Sequence, residues 1–310
     1  MLKYFRVIWP MLGLAIVLGF SPGCPVFGAD EFTLESAQTA AAQGDAHAQF
    51  YLSRCYARGE GVPQDYPQAV EYLRRSAAQG YARAENNLGA FYADGLGVTQ
   101  SYAESVKWFR QAADQGDSLA EYSLGMAYEQ GRGLPSNPTE AFKWFQRAAD
   151  QGQTNAIYSV ADYYLGGKGI PVDLPKARQW FEKAARLGSL DAVNMLGYIC
   201  QSGGEGVTKD LAQACVYYRQ AAEKGLAKAQ FNLGRAYLYG LGLATDPVEA
   251  CKWFYIASRS GEGLSRHYLE ELSGKVQYGD LPGQPLTSDQ INEAVRRATE
   301  FETAHSPSRG

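Results

Sequence analysis

Few residues in this chain of 310 have both the type and the spacing that catalysis requires. The three histidines, His47, His267 and His305, lie far apart in the sequence, and none belongs to a His-Glu-x-x-His zinc motif. The sequence also contains no Gly-x-Ser-x-Gly nucleophile turn, no Ser-x-x-Lys pair and no glycine-rich phosphate loop. We therefore expect no catalytic residue, no metal ion and no cofactor.

Cysteine is the remaining residue type that could bind a metal or form a covalent bond. Cys24 lies in the N-terminal segment, and four more follow: Cys55, Cys200, Cys215 and Cys251. No two have the Cys-x-x-Cys spacing of a zinc ribbon or a redox motif. For at least two of the four, a buried packing position is the simpler interpretation, because free cysteine behaves as a small apolar side chain.

The charge balance excludes one class of partner. Lys and Arg number 29 against 33 Asp and Glu, a net charge of -4, and no run of like charge stands out. Proteins that bind nucleic acid need clustered basic side chains to neutralise phosphates, so we expect no nucleic-acid partner. With 45% hydrophobic and 20% charged residues, the chain has the composition of a folded protein with a sizeable core.

The N-terminus has the pattern of an export signal. Lys3 and Arg6 precede an apolar stretch of about fourteen residues, which small residues follow. A membrane-spanning helix needs roughly 20 apolar residues, so we interpret residues 1–29 as a signal peptide that is cleaved after one of its last two residues. The expected location is the periplasm. The alternatives are an extracellular location, an uncleaved anchor and an outer-membrane lipoprotein acylated at Cys24.

The rest of the chain repeats one pattern about every 36 residues. The stretch AFKWFQRAADQG ends at Gly152, and a near copy, SVKWFRQAADQG, ends at Gly116. A catalytic motif is needed only once, so such a period indicates a structural unit stacked on copies of itself. The glycines that end the successive copies are Gly44, Gly80, Gly116, Gly152, Gly188, Gly225 and Gly261.

Each copy encodes two helices. The first begins near an alanine, with an apolar residue four positions later and usually a tyrosine eight positions later, all on one helical face. A Gly-x-Gly pair then ends this helix, and Asp, Asn or Ser caps the second, which buries a stripe such as Ala141, Phe145 and Ala148. The residue after the apolar one is small in every copy, as at Gly125, and lets the second helix approach closely.

The predicted fold is all-α: a right-handed superhelical solenoid of stacked helical hairpins, with about six repeats and C-terminal capping helices. The pattern A-x-x-x-L-G-x-x-Y-x-x-G-x-G, followed by W-x-x-x-A-A-x-x-G, resembles the Sel-one-like repeat (SLR), a relative of the tetratricopeptide repeat. The predicted organisation is a signal peptide (1–29), an N-terminal half-repeat helix (33–44), six repeats (45–80, 81–116, 117–152, 153–188, 189–225 and 226–261, together 45–261), capping helices (262–304) and a disordered tail (305–310).

The resemblance implies an interaction scaffold. SLR proteins with signal peptides are typical of Gram-negative bacteria, where relatives serve envelope assembly, signalling and host interaction. We therefore expect an adaptor that holds a protein partner or an envelope component in the concave groove of the solenoid, without a stable membrane span after signal removal. The alternative is an enzyme acting on cell-wall material. Some SLR relatives described as penicillin-binding have a cysteine pair in every repeat, and here repeats two to four contain no cysteine.

The resemblance also places that groove along the first helix of each repeat. Residues two and six positions after the opening alanine lie opposite its apolar face, by the 100° step of a helix. Their aromatic and amide side chains suit peptide binding, but packing of the aromatics between repeats is an equally good interpretation. The candidate binding residues are Phe50, Arg54, Asn86, Tyr122, Met126, Tyr158, Asp162, Asn194, Tyr198, Phe231 and Arg235.

One cysteine pair is placed for a disulfide. Cys200 and Cys215 fall on the two helices of one hairpin, on either side of its turn. Cys215 and Cys251 occupy equivalent positions one repeat apart, where helix axes about 8–10 Å apart exceed the Cα separation of roughly 7 Å that a disulfide allows. We therefore predict that Cys200 and Cys215 are the candidate disulfide.

Overall fold

The computed structural model describes residues 32–275 and 284–305. These residues form fifteen helices and no strand, which confirms the predicted all-α class. The predicted signal peptide, Cys24 and residues 306–310 lie outside the described residues. No helix in the described part of the chain is long and apolar enough to cross a membrane.

The helices form two compact units, divided between Pro171 and Val172. In each unit the second helix of one repeat packs on the first helix of the next, the stacking arrangement of a solenoid. The first unit contains α1 (Leu34–Ala42), α2 (Ala46–Arg58), α3 (Tyr66–Ala77), α4 (Ala82–Asp94), α5 (Tyr102–Asp114), α6 (Ser118–Gln130), α7 (Pro138–Asp150) and α8 (Thr154–Gly166). The second contains α9 (Leu174–Arg186), α10 (Leu190–Ser202), α11 (Leu211–Glu223), α12 (Ala227–Tyr239), α13 (Pro247–Arg259), α14 (Gly263–Leu272) and α15 (Ser288–His305).

The second helix of every repeat begins at the residue that the sequence predicts. Its N-cap side chain accepts a hydrogen bond from a backbone N–H of the first turn, one of the donors that a helix leaves without an intrahelical partner. Pro138 and Pro247 follow their caps at the first helical position, where the missing N–H is not needed. The six caps are Asp65, Ser101, Asn137, Asp173, Asp210 and Asp246.

The two glycines of the Gly-x-Gly pair do different work. Gly95 ends α4 with φ of 72°, in the left-handed region that glycine adopts without strain. Gly97 instead lies against the start of α3, where a Cβ would be 2.5 Å from the carbonyl carbon of Tyr66. The first glycine therefore stops a helix, and the second lets the loop pack on the preceding repeat.

In four of the six hairpins, a glycine of the first helix faces an aromatic ring of the second. A Cβ placed on Gly125 of α6 would lie 2.7 Å from Cδ1 of Phe145 on α7, and Phe145 is fully buried. Gly89 faces Phe109 in the same way, and Gly234 faces Phe254. The small residue predicted at this position is therefore a packing requirement, as the sequence suggests.

A polar contact that the sequence analysis did not anticipate joins the two helices of the first three repeats. The residue after the opening alanine is buried, and a glutamine thirty residues later donates a hydrogen bond to its side chain. The donor and acceptor pairs are Gln79 to Gln49 at 2.9 Å, Gln115 to Glu85 at 2.7 Å and Gln151 to Glu121 at 2.8 Å.

The C-terminal helices pack against α13. Thr287 and Gln290 exchange hydrogen bonds through a backbone N–H and a side-chain oxygen each, a reciprocal cap at the start of α15. The Phe301 ring of α15 meets the Trp253 ring of α13 edge-on, with centroids 5.1 Å apart. The helix therefore covers the apolar face of the last repeat.

The predicted disulfide between Cys200 and Cys215 is not formed, so this prediction is wrong. Cys200 and Cys215 are both buried free thiols. The Cys215 thiol donates a hydrogen bond to the carbonyl oxygen of Leu241, 2.9 Å away in the loop of the following repeat. The side chain thus makes a contact between repeats and not across its own hairpin turn.

Candidate functional site

Within each unit, the candidate binding residues fall at two positions of the first helices, which define an inner row and an outer row. The inner row contains the residues two positions after the opening alanine: Phe50, Asn86, Tyr122, Tyr158, Asn194 and Phe231. The outer row contains the residues six positions after it: Arg54, Ala90, Met126, Asp162, Tyr198 and Arg235. The two rows differ in their exposure to solvent, which the sequence could not resolve.

Inner-row side chains are mostly interior. Tyr122 is only 1% exposed, and its ring lies 5.5 Å from that of Phe145 on the second helix of its hairpin. Phe50 packs edge-on against Tyr81, the residue that precedes α4, with centroids 5.3 Å apart. Asn86 and Asn194 are also buried. These four residues pack within the fold, so their assignment to an accessible binding face is corrected.

The remaining two inner-row aromatics are half-buried. Phe231 lies 5.7 Å from Phe254 and 5.5 Å from Tyr268, measured between ring centroids. Tyr158 keeps a similar partial exposure on α8. Of the two interpretations left open by the sequence, packing describes most of the inner row.

Outer-row side chains reach solvent, except for the small Ala90. Arg54, Met126, Asp162 and Arg235 are partly exposed, and Tyr198 is 40% exposed. The outer row is therefore the accessible part of the candidate site in each unit.

Replacing Tyr122 by alanine is expected to lower the free energy of unfolding by about 3–5 kcal/mol, because a buried ring is lost and a cavity remains. Tyr198→Ala, the matched outer-row change, is expected to alter it by less than about 0.5 kcal/mol. Urea denaturation of both variants measures the difference. Equal midpoints for the two variants would contradict the separation of the rows.

In the first unit, the outer row continues into a charged cluster. The Lys168 Nζ atom lies 2.8 Å from Oδ2 of Asp162 and 3.3 Å from Oε1 of Glu129. It also lies 5.3 Å from the ring centroid of Tyr163. Burial works against the charge of Lys168, but the two carboxylates raise its pKa overall. The single cation is thus shared between two carboxylates, and the cluster keeps a net negative charge.

Two tyrosine hydroxyls are buried beneath this cluster. Among the described residues, no group lies in good hydrogen-bonding geometry with the Tyr122 or the Tyr163 hydroxyl, and both rings are 1% exposed. Burial and then the nearby Glu129 carboxylate raise the pKa of both hydroxyls. Both tyrosines stay neutral at physiological pH and serve as packing groups.

In the second unit, the site is polar but contains a single exposed cation. Tyr218 donates a hydrogen bond to Gln201 at 2.8 Å, and Asn232 donates one to Asn194 at 2.9 Å. The Arg235 guanidinium carbon lies 5.9 Å from the ring centroid of Phe231. Burial raises the pKa of Tyr239 to about 12, and Arg235 opposes that shift.

The groups that could do chemistry are poorly placed for it. Among the described residues, no three His, Cys, Asp or Glu side chains converge on a point that could hold a metal ion. Burial raises the pKa of the Cys200 and Cys215 thiols, and that of Cys251 to about 11. A thiol that is protonated at neutral pH is a weak nucleophile.

Six consecutive segments of the chain match the sequence profile of the family described as Sel1 repeat. They are residues 46–81, 82–117, 118–153, 154–189, 190–226 and 227–262, which together make up most of the chain. The chain belongs to the Sel1 repeat family. This confirms the resemblance inferred from the repeated pattern. Sel1-repeat proteins are generally scaffolds for protein–protein interaction.

Solved structures of other Sel1-repeat proteins have the same fold. The chain is similar to c5321, a protective antigen present in uropathogenic Escherichia coli strains displaying an SLR fold, with 33% identity and a TM-score of 0.73. That match covers 87% of this chain and 56% of the Escherichia coli protein. A Sel1 repeat protein from Oxalobacter formigenes is 28% identical, with a TM-score of 0.66, over 84% of this chain and 74% of that one. A search of the curated proteins gives no match.

Proposed function

We propose that this protein is an exported adaptor without catalytic activity, which binds a protein partner along the outer row of its first helices. The family supports the general role, since Sel1-repeat proteins are generally interaction scaffolds. The location proposed is the periplasm, where the partner is a protein or another component of the cell envelope.

The observation that carries the proposal is the exposure of the outer row. Packing within the fold buries four of the six inner-row side chains, whereas Tyr198 stays 40% exposed on α10 and Met126 stays partly exposed on α6. Neither unit needs these side chains for its own core. Exposed tyrosine and arginine side chains are among the groups that contribute most to protein interfaces.

Export is supported by the N-terminal sequence. Lys3 and Arg6 precede a short apolar stretch and small residues, the order of a cleavable signal. The similarity to a protein described as a protective antigen also supports it. A lipid on Cys24 would retain the same chain at a membrane surface, with the outer row still available.

A photocrosslinking amino acid at Tyr198 is expected to trap the partner in living cells, because this side chain lies at the proposed contact. The matched control is the same group at Val216, a side chain of α11 that is 57% exposed. The measurement is mass spectrometry of crosslinked species recovered from the periplasmic fraction. The same material gives the N-terminus of the mature chain, expected at Ala29 or Asp30.

Two results would contradict the proposal. Equal crosslinking from positions 198 and 216 would mean that the outer row is not a preferred contact surface. Recovery of the chain in the cytosol with Met1 intact would contradict export. An envelope partner trapped from position 198 alone is the expected result.

A further inference from the structure

Arg235 is an arginine whose charge the fold does not satisfy. It lies on α12 in the outer row, with its guanidinium partly exposed and its Nε atom completely enclosed. This Nε–H has no acceptor, and no ion pair or hydrogen bond joins Arg235 to any residue of the described chain. A buried donor without an acceptor destabilises the fold, because it has lost its hydrogen bonds to water and makes none to the protein.

Three other arginines of the second unit have a partner within the chain. Arg219 donates to the hydroxyl of Tyr237 at 2.9 Å. Arg259 pairs with Glu302 at 2.8 Å, and Arg297 pairs with Glu293 at 2.8 Å. Arg235 differs from these three in its place in the outer row, beside an aromatic ring and with an enclosed Nε–H.

Aromatic side chains lie near the Arg235 guanidinium. Phe231 lies 5.9 Å from it on the same helix, and the charge also acts on the hydroxyls of Tyr218 and Tyr239. Apolar surface beside a guanidinium strengthens a hydrogen bond that an incoming anion makes to it.

We propose that Arg235 is the anchor of a subsite that binds a carboxylate side chain, Asp or Glu, of the protein partner. The inference rests on the proposed function, since it names the chemistry of one contact on the outer row. A carboxylate accepts two parallel N–H donors from a guanidinium, a geometry that a neutral side chain cannot match.

The source of the carboxylate follows from what flanks Arg235. Tyr198 is exposed on α10, two helices before α12, and Tyr268 lies on α14, two helices after it. An occupant that contacts both rings continues past the guanidinium in both directions. A side-chain carboxylate within a chain meets that condition, whereas the carboxyl terminus of a chain does not.

The test uses the full mature chain, immobilised, and three pools of nine-residue peptides. Two pools are acetylated and amidated, with a central Glu or a central Gln. The third has neutral side chains and a free C-terminal carboxylate. All other positions are randomised without Asp, Glu or Cys. A charged hydrogen bond of ordinary strength predicts about tenfold greater retention of the Glu pool than of the Gln pool.

Variants assign that preference to Arg235. Arg235→Gln is expected to abolish it, and Arg235→Lys to reduce it, because an ammonium is a point charge without the guanidinium fork. Arg186→Gln is the matched control, an equal charge change at an exposed side chain of α9, and should leave the preference unchanged. Tyr198→Ala should weaken both capped pools while the preference persists. Thermal unfolding of each variant checks that the fold is intact, and Arg235→Lys remains informative if Arg235→Gln does not fold.

The outcomes separate the two proposals. Equal retention of the Glu and Gln pools, or a preference that survives Arg235→Gln, overturns the carboxylate subsite and leaves the adaptor function standing. Stronger retention of the free-carboxylate pool overturns it in favour of chain-end recognition. Failure to retain any pool overturns peptide binding by the outer row as well.

Discussion

Replacing Gly125 by alanine is expected to lower the free energy of unfolding by about 1–3 kcal/mol, as overpacked cores generally do. The added Cβ would lie 2.7 Å from Cδ1 and Cε1 of Phe145, a fully buried ring. Alanine is the better helix former by about 1 kcal/mol. A net loss of stability therefore means that the clash with Phe145 costs more than the gain in helix propensity. Urea denaturation of the full chain measures it.

Gly166 provides the control for this prediction. It is the last residue of α8, and the nearest atom to an added Cβ is Cγ of the flexible Lys168 side chain, 3.6 Å away. Gly166→Ala therefore gains helix propensity without a clash, and we expect stability to rise by up to about 1 kcal/mol. Equal effects at Gly125 and Gly166 would mean that the Phe145 contact does not decide the outcome.

A double-mutant cycle identifies the clashing partner. Phe145→Leu alone removes part of a buried ring and is destabilising. In combination with Gly125→Ala, the leucine leaves room for the new methyl group, so the double variant should lose less stability than the sum of the two. Additive losses would show that the alanine clashes with something other than Phe145.

The hairpins were predictable because the residues that define them act locally. Each N-cap, such as Asp65, satisfies a donor within its own first turn, and Gly95 ends a helix through its own backbone conformation. The small residue at Gly125 could also be identified, because its position repeats in register with the aromatic stripe. None of these features depends on how one repeat is rotated against the next.

The depth of a side chain within the site was not predictable. Residues two and six positions after the opening alanine are four apart, so they share a face of the helix and have the same periodicity. Tyr122 is buried and Tyr198 is exposed because of the neighbouring helices that cover one and not the other. The periodicity of a single helix carries no information about those neighbours. The unpaired Arg235 is a property of the assembled surface for the same reason.

Two kinds of polar contact recur in the sequence at a fixed spacing. Gln115 and Gln151 each stand thirty residues after a buried glutamate, and the spacing recurs in successive copies. Arg74 and Arg110 each stand eighteen residues before a tyrosine whose hydroxyl accepts their hydrogen bond. Polar pairs that recur at a fixed spacing across repeats are therefore worth searching for alongside apolar ones.

The predicted disulfide between Cys200 and Cys215 was wrong for a different reason. The sequence places both residues on facing helices of one hairpin, but it does not give the direction of either thiol. The extra residue of this repeat lies in the turn between them, where Gly203 and Gly204 both have positive φ. The Cys215 thiol then bonds to the carbonyl of Leu241.

Arg147→Ala is expected to produce a loss of stability that depends on pH. Glu121 is 1% exposed on α6, and its carboxylate accepts a 2.8 Å bond from Arg147 and another from Gln151. Removing Arg147 leaves a buried carboxylate without its counter-charge. At pH 7 we expect a loss of about 2–4 kcal/mol, toward the lower end because the Arg147 side chain is half exposed and partly screened by water.

The sign of the pH dependence follows from the pKa of Glu121. Burial raises this pKa above 4.5, Arg147 and Gln151 lower it in part, and the charge of Asp117 adds to the rise. The folded chain therefore holds the proton more tightly than the unfolded chain does. Its stability rises as pH falls from neutrality through the raised pKa, and levels off below the unfolded value near 4.5.

The pKa values of Glu85, Asp94 and Asp117 are raised as well, so the native protein should also be more stable at pH 5 than at pH 7.

Arg147→Ala enlarges that difference. Without the guanidinium, the pKa of Glu121 rises further, so protonation near pH 5 recovers much of the loss seen at pH 7. Glu121→Gln in the Arg147→Ala background is the control, because a neutral amide keeps the size of the side chain but cannot titrate. Urea midpoints of the two variants at pH 5 and pH 7 should converge at the lower value and diverge at the higher one. A loss from Arg147→Ala that is the same at both pH values would mean that Arg147 stabilises by packing over the Trp144 ring, 4.5 Å from its guanidinium carbon, and not by neutralising Glu121.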